Sequence, residues 1–164
     1  MFIRDLLRAL ADAQLPYCVV GGVAVNLHGI PRMTYDVDLV VAPTTDALQR
    51  THDLLVGLGL TCRLPIRLAD LADAALREEY RSERSLIAVT YTDLRDPLRE
   101  VDILVSPPVS ASLLIERAIT LELDDIPVKI ISLPDLIVLK RNTGRAQDLS
   151  DVALLERLER ETDG

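Results

Sequence analysis

The chain has 164 residues, 49% of them apolar, and a formal net charge of −8. This length is enough for one domain with its own hydrophobic core. The sequence lacks an apolar run near the ~20 residues that a membrane-spanning helix needs, which excludes an integral membrane protein of that kind. The negative net charge also argues against broad, nonspecific nucleic-acid binding, although a local basic patch is compatible with this net charge.

The cysteines and the amino-terminal segment indicate the compartment. Cys18 and Cys62 lie far apart in predicted strands, so reduced, buried thiols are a better interpretation than a disulfide. Neither cysteine forms a metal motif with the two histidines. Residues 1–14 are amphipathic and contain charges, unlike a signal peptide. We therefore expect a cytoplasmic protein that does not associate with a membrane.

The amino-terminal half alternates helices with short strands. Apolar residues at helical spacing predict a helix over 2–14, which Pro16 ends. The β-branched run at 17–20 predicts a strand that stops at the glycine pair Gly21-Gly22. Beyond the glycines, the pattern predicts helices at 23–29, about 45–58 and 68–84, and strands at 36–42 and 60–64.

The carboxy-terminal half continues with strands and ends in helices. A cap, a proline and an acidic residue at Ser132, Pro134 and Asp135 predict a clean helix start. That helix runs to about 142, and Gly144 separates it from a last helix at about 146–161. Upstream, the pattern predicts strands at 86–92, 100–105, 120–123 and 128–131, the last two as a hairpin, and a helix from 110 or 112 to about 117.

Interleaved strands and helices predict an α/β or α+β fold with a mixed β-sheet flanked by helices. Repeats, low-complexity segments and linkers are not evident. We therefore expect a single domain over 1–164, with a sheet-containing core at 1–131 and a helical carboxy-terminal portion at 132–164.

Asp36 and Asp38 are the most informative residues of the chain. Side chains two apart on a strand share a face, so these carboxylates project side by side, about 6–7 Å apart along the strand. Two like charges on an otherwise apolar strand repel each other. A hard cation between them resolves the conflict, because Mg²⁺ takes one or two carboxylates together with phosphate oxygens.

A third carboxylate, Asp102, lies in the middle of a predicted strand, where aspartate is disfavoured. If the two strands are neighbours, Asp102 completes a three-carboxylate cluster. Such a cluster suits two-metal phosphoryl transfer, with Asp36 and Asp38 bridging two ions. Asp102 then binds the ion that activates an acceptor hydroxyl, and can also take up its proton.

The glycine pair Gly21-Gly22 joins a strand to a helix. Glycines let a ligand approach the backbone, and a helix start offers unpaired N–H groups to a phosphate. A tight strand–helix turn is the simpler explanation when the pair is considered alone. The acid pair downstream shifts the balance toward phosphate binding.

The stretch CVVGGVAVNLHGIPRMTYDVDLVV resembles the nucleotidyltransferases of the polymerase-β superfamily. It carries Gly-Gly, then G-x-x-R-x-T-x-D-x-D, and a single Asp follows in a later strand. It is especially similar to the AbiEii-like group of abortive-infection and toxin–antitoxin nucleotidyltransferases, and lincosamide-type antibiotic nucleotidyltransferases share a related glycine pattern. A second stretch, LPDLIVLKRNTGRAQDLSDVALL, is similar to the group's lysine on one helix followed by R-x-x-D-x-x-D on the next. The resemblance extends from Val20 to Leu155, without a recognised motif at about 60–95.

The resemblance implies a nucleotidyltransferase fold and a role for each matching residue in the first stretch. Gly21 and Gly22 would line the triphosphate of an NTP, although the family often has Ser where this chain has Gly22. Asp36 and Asp38 would bind Mg²⁺, with Asp102 as the third acid.

In the second stretch, the resemblance implies that Lys140 contacts the nucleotide or its phosphates and that Asp148 is a further active-site acid. The residues alone leave alternatives open. Lys140 is suited to phosphate but also to a solvated helix end. Arg32 could clamp a phosphate bidentately or be a surface loop charge. Asp148 and Asp151 share a helix face, which is either solvated or paired with Arg145, and Asp151 is the more structural of the two.

Two functions compete. The first is an enzyme that uses Mg²⁺ to move a nucleotidyl group from an NTP to an acceptor hydroxyl of RNA or tRNA, a protein or a small molecule. The second is a catalytically weak binding module of the same fold that acts through a protein partner, for example in a toxin–antitoxin or phage-defence locus. The complete acid triad favours the enzyme. The small size suggests that a dimer partner or a second protein supplies part of the acceptor surface, so a homo-oligomer is compatible with the sequence.

Overall fold

The computed structural model describes residues 2–164 and shows a seven-stranded sheet with helices on both faces. The strands are β1 (Tyr17–Val20), β2 (Asp36–Val41), β3 (Thr61–Cys62), β4 (Ala88–Thr92), β5 (Glu100–Leu104), β6 (Ile119–Leu123) and β7 (Ile126–Ile130). The helices are α1 (Phe2–Ala13), α2 (Gly21–Leu27), α3 (Thr45–Gly57), α4 (Ala74–Arg84), α5 (Ala111–Arg117), α6 (Leu133–Thr143) and α7 (Ala146–Asp163).

The sheet is mixed, as the alternation of elements predicts. Its strand order is β3-β4-β5-β2-β1-β7-β6. The pairs β2–β5 and β1–β7 are parallel, and the remaining pairs are antiparallel. The predicted hairpin is formed by β6 and β7, and Asp124 adopts a positive φ of 55° in its turn. The expected α/β architecture with a mixed sheet is therefore confirmed.

Strands β2 and β5 each present an apolar face and a polar one, whereas β1 is buried on both faces. On β2 and β5 the alternate residues Val37, Leu39, Val101 and Ile103 are buried, and Tyr91 of β4 joins this face. Helix α3 covers it, with Nδ1 of its His52 lying 2.8 Å from the Tyr91 hydroxyl. The opposite face carries the acidic residues, because side chains alternate along a strand.

Several element boundaries differ from the prediction. Helix α2 begins at Gly21 itself, so the glycines form its first turn instead of a separate bend. The predicted helix over 68–84 is divided, because the Asp73 carboxylate accepts hydrogen bonds from the N–H groups of Ala75 and Leu76 and starts a new helix there. A 3-10 turn at Leu68–Ala72 precedes it.

The strand predicted at 60–64 is reduced to Thr61–Cys62. It pairs with Tyr91 and Thr92 at the edge of the sheet. Pro65 follows in the sequence, and a proline cannot donate a ladder hydrogen bond, so the edge strand stays short.

The carboxy-terminal helices α6 and α7 pack against each other and α6 contacts α2. Ser132 caps α6 by accepting a hydrogen bond from the Asp135 N–H, and Gly144 ends it with a φ of 66°. These are the residues that the sequence predicts for its start and end. Within residues 2–164, every helix is too short or too polar to cross a membrane.

Candidate active site

The parallel pairing of β2 with β5 brings three carboxylates together. Asp38 lies directly opposite Asp102 in the register, and Asp36 lies opposite Glu100. Residues paired in this way point to the same face of the sheet. One carboxylate oxygen from each of Asp36, Asp38 and Asp102 lies within 4.8 Å of the others, and all three residues are half-buried. The condition under which Asp102 completes the cluster, that its strand is a neighbour of β2, is therefore met.

Two threonines hold the outer members of this acid triad (Asp36, Asp38 and Asp102). The Thr90 hydroxyl on β4 donates a hydrogen bond of 2.5 Å to the Asp102 carboxylate. The Thr34 hydroxyl is 3.3 Å from a carboxylate oxygen of Asp36. Each hydroxyl fixes one carboxylate oxygen and leaves the other free to accept a ligand.

Burial and mutual repulsion disfavour the charge on the triad. Burial, together with the charges of Asp36 and Asp102, raises the pKa of Asp38 to about 7, although the charges of Lys140 and Arg145 act in the opposite direction. Burial also raises the pKa of Asp102, although the hydrogen bond from Thr90 opposes this. A group of carboxylates that repel each other in this way is prepared to accept a cation.

The backbone of Gly21 packs closely against the triad. A Cβ at this position would lie 2.0 Å from a carboxylate oxygen of Asp38, and φ is +66°. A Cβ at Gly22 would lie 3.0 Å from the Thr34 hydroxyl. The first turn of α2 thus reaches the carboxylates only because two residues without side chains occupy it. The glycine pair and the acid pair belong to one site.

A second charged cluster forms between α6 and α7. The Lys140 ammonium donates to Asp148 at 2.8 Å and lies 3.2 Å from Asp151. Asp148 also accepts from Arg145 at 2.8 Å and from the Thr143 hydroxyl at 2.6 Å. The charges of Lys140 and Arg145 lower the pKa of Asp38, so this cluster lies near enough to the acid triad to influence it electrostatically.

Lys140, Asp148 and Asp151 are 6%, 2% and 3% exposed, respectively. The alternative interpretations of Lys140 as a solvated helix end and of the two aspartates as a solvated face are therefore wrong. The alternative pairing with Arg145 is present for Asp148. Burial raises the pKa of Asp148, but the hydrogen bonds from Lys140 and Thr143 outweigh it and lower the pKa to about 2.

Arg32 is not a free surface charge. Its guanidinium forms an ion pair with Asp151, and the Arg32 side chain is 23% exposed. The Arg32 N–H donates to the side-chain oxygen of Asn26 at 2.6 Å. The structure therefore places Arg32 at the junction between the acid strand and the carboxy-terminal helices, with its charge already matched by a carboxylate.

Sequence reasoning missed Thr90, Thr34 and the pair formed by Arg63 and Glu100 beside the triad. Arg63 lies 3.3 Å from Glu100, and its charge lowers the pKa of Asp102. Thr34 is the threonine of the G-x-x-R-x-T-x-D-x-D motif, so the sequence alone could have indicated it as a site residue. Thr90 and Arg63 become visible only once the pairing of β3, β4 and β5 is known, because their relation to Asp102 depends on register.

Comparisons with known proteins agree with this geometry. The solved structure of the lincosamide antibiotic adenylyltransferase LnuA with bound lincomycin is 13% identical, with a TM-score of 0.60, covering 96% of this chain and 94% of that chain. The solution structure of the antibiotic-resistance factor ANT(2'')-Ia is also 13% identical, with a TM-score of 0.61 and coverage of 96% and 85%. At this identity the two structures show a shared fold.

A search of curated proteins finds no significant match. The profile of one sequence family, described as "Nucleotidyl transferase AbiEii toxin, Type IV TA system", matches residues 4–164. This match spans nearly the whole chain and includes the acid triad, the glycine pair and the cluster between α6 and α7. The chain therefore belongs to the AbiEii family of nucleotidyltransferases.

Proposed function

We propose that this nucleotidyltransferase uses Mg²⁺ to transfer an NMP group from an NTP to an acceptor hydroxyl, releasing pyrophosphate. The observation that carries the proposal is the acid triad, whose oxygens lie within 4.8 Å of one another. Such a set of hard oxygen donors fits Mg²⁺, which binds through carboxylates and substrate phosphates. Bound divalent ions supply charge neutralisation for the triphosphate and a Lewis acid beside the acceptor.

Gly21 and Gly22 are proposed to receive the triphosphate. They form the first turn of α2, where backbone N–H groups are not used within the helix. The close contact of Gly21 with Asp38 puts this turn beside the metal-binding carboxylates. We propose Lys140 as the phosphate-binding cation: two of the three donors of its ammonium face Asp148 and Asp151, so one is left for a phosphate oxygen.

Asp102 is proposed to accept the proton of the acceptor hydroxyl. Burial raises its pKa, which makes its carboxylate a better base than an ordinary aspartate. The Thr90 hydrogen bond holds one of its oxygens and leaves the second for the acceptor. Neighbouring polar residues on the same face, Thr90 and Glu100, are half-buried, so an acceptor can reach Asp102 from the β4–β5 side.

The acceptor class is open among RNA or tRNA, a protein and a small molecule. The family suggests a toxin in a type IV toxin–antitoxin or phage-defence system with a partner protein. The fold neighbours suggest a small molecule, since one is an antibiotic adenylyltransferase and the other an antibiotic-resistance factor. We also propose that the protein is cytoplasmic. Self-association is compatible with this proposal.

Substitution of the acid pair tests the proposed chemistry. We expect Asp36→Ala to abolish metal-dependent transfer from a labelled NTP while the far-UV circular dichroism spectrum and unfolding midpoint stay near those of the wild type. Removal of a metal ligand typically costs several orders of magnitude in rate. Full activity in Asp36→Ala would contradict the proposed role of Asp36 as a metal ligand in nucleotidyl transfer.

Calorimetry with ATP, CTP, GTP and UTP in the presence of Mg²⁺ separates the enzyme from a binding module. We expect heat of binding with at least one nucleotide, and its loss in Asp36→Ala. If all four nucleotides give no heat, the alternative of a fold that acts only through a protein partner gains support.

A further inference from the structure

We infer that Arg32 and Asp151 form a latch that positions the acid strand, and that Arg32 acts through Asp151 instead of binding a phosphate. This inference rests on the proposed function, because positioning has a consequence only where chemistry takes place. The Arg32–Asp151 latch joins the segment before β2 to helix α7. The two residues are 119 apart along the chain.

The first argument is the position of Arg32. Residues 30–35 lack regular secondary structure and lead directly into Asp36. Arg32 holds this segment at two points. Its backbone N–H donates to the Asn26 side chain on α2 at 2.6 Å, and its guanidinium reaches Asp151 on α7. Anchoring the segment at Arg32 restricts where the chain enters β2.

The second argument is the burial of Asp151. Its side chain is 5% exposed, and a carboxylate this deep needs cationic partners. The same Asp151 oxygen, Oδ2, contacts both the Arg32 guanidinium and the Lys140 ammonium, the latter at 3.2 Å. Moving Arg32 onto a phosphate would leave Asp151 with Lys140, which Asp148 also binds at 2.8 Å. The geometry therefore commits Arg32 to Asp151.

The third argument is connectivity. Asp151 contacts Arg32 and Lys140 together, so one carboxylate links the segment before the acid pair to the proposed phosphate-binding lysine. Asp151 thereby fixes the position of β2, which carries the proposed metal ligands, relative to α6, which carries Lys140. Small misplacements of reacting groups have large kinetic effects. Arg32 and Asp151 are thus positioning residues for the transfer step.

The test uses Arg32→Gln, Asp151→Asn and the double variant, with kinetics and amide hydrogen exchange. Each single variant is expected to lower kcat by about 10- to 100-fold, with KM for the NTP within about twofold of wild type. The double variant is expected to be no slower than the slower single one, because both changes break the same contact. Arg32→Lys, which keeps the charge, is expected to retain more activity than Arg32→Gln.

Glu156→Gln is the matched control. Glu156 pairs with Arg141 across the same α6–α7 interface, but this pair does not contact the segment before β2. We expect Glu156→Gln to leave kcat near the wild-type value. A loss as large as that of Asp151→Asn would reduce the latch to general helix packing and overturn the inference.

Arg32→Gln also distinguishes the latch from a phosphate ligand. If Arg32 binds a phosphate, Arg32→Gln raises KM for the NTP by about tenfold or more, and Asp151→Asn does not. That pattern would overturn the inference while supporting the proposed function.

Amide hydrogen exchange tests the Arg32–Asp151 latch independently of enzyme activity. Both single variants are expected to speed exchange of the amides at 30–36 while leaving α1 unchanged. Unchanged exchange at 30–36 in both variants would overturn the latch. Wild-type protein that transfers no nucleotide, together with faster exchange at 30–36 in both variants, would instead remove the proposed function and leave the latch as a purely structural contact.

Discussion

At the residue scale, Asp38 stands out because the folded protein disfavours its charge. Burial and the two neighbouring carboxylates together raise its pKa to about 7. A metal ion at the proposed site would therefore compete with a proton for this carboxylate. The affinity for a divalent cation should accordingly rise with pH through neutrality.

We predict that the metal-free protein loses stability as the pH rises from about 4 to about 7. In this window folded Asp38, with its pKa raised to about 7, holds a proton that the unfolded chain has released, so rising pH favours unfolding. Asp148, with its pKa lowered to about 2, is ionised in both states above about pH 5 and adds no slope there.

Urea unfolding with a chelator near pH 5 and near pH 8 measures this effect, which we expect to be on the order of 1–4 kcal/mol. Asp38→Asn should remove the part of this difference that Asp38 contributes, whereas Asp102 and Glu100, whose pKa values burial also raises, retain theirs. An undiminished pH dependence in that variant would assign the titration to another group.

A matched glycine pair tests the close approach at Gly21. Gly21 and Gly144 both have φ of +66°, but an added Cβ meets Asp38 at 2.0 Å in the first case and nothing within 4 Å in the second. We expect Gly144→Ala to cost about 1 kcal/mol of stability from backbone strain alone. Gly21→Ala should cost more and also weaken calorimetric Mn²⁺ or Mg²⁺ binding. Equal effects in both variants would show that Asp38 tolerates the new side chain.

At the element scale, β4 supports β5 through Thr90. Because the Thr90 hydrogen bond lowers the pKa of Asp102, Thr90→Val should raise that pKa and move the acid limb of the pH–rate profile to higher pH. Thr92→Val, two residues along the same strand, is the control and should leave the limb in place. A shift common to both variants would point to a general change in β4.

The elements themselves were largely predictable from the sequence, whereas the pairing of strands other than β6 and β7 was not. The β-branched runs and the isolated Asp102 predicted β2 and β5, because a buried strand leaves a clear apolar pattern. The contact of Thr90 with Asp102 could not be predicted, because it depends on the register between β4 and β5. The sequence also did not predict that Lys140 is buried. Its burial depends on a network in which its partner Asp151 pairs with Arg32, more than a hundred residues away in sequence.

At the scale of the whole molecule, contacts across residue 131 tie the helical portion to the sheet. His28 donates from Nε2 to the Ile131 carbonyl at 2.8 Å, and Arg117 pairs with Asp135 at 3.1 Å. The Arg32–Asp151 latch adds a third link. These contacts favour one cooperative unit over two independent ones.

We predict a single unfolding transition for the full chain, with equal calorimetric and van't Hoff enthalpies. A fragment of residues 1–131 should be largely unfolded by circular dichroism, because it loses α6 and α7, whose Leu136, Ile137, Val152 and Leu155 belong to the buried apolar core. A well-folded fragment, or two separate transitions in the full chain, would divide the protein into two domains.

The parallel pairing of β2 with β5 has a kinetic consequence. Asp38 and Asp102 face each other across this pair, so the strands must meet after a long intervening stretch of chain has been closed into a loop. Such non-local closure slows folding, and here the arriving strands also bring like charges into contact. Productive folding therefore includes an encounter between mutually repelling strands, which protons or divalent cations would ease. The residues proposed for catalysis are, on this view, also those that delay the assembly of the sheet.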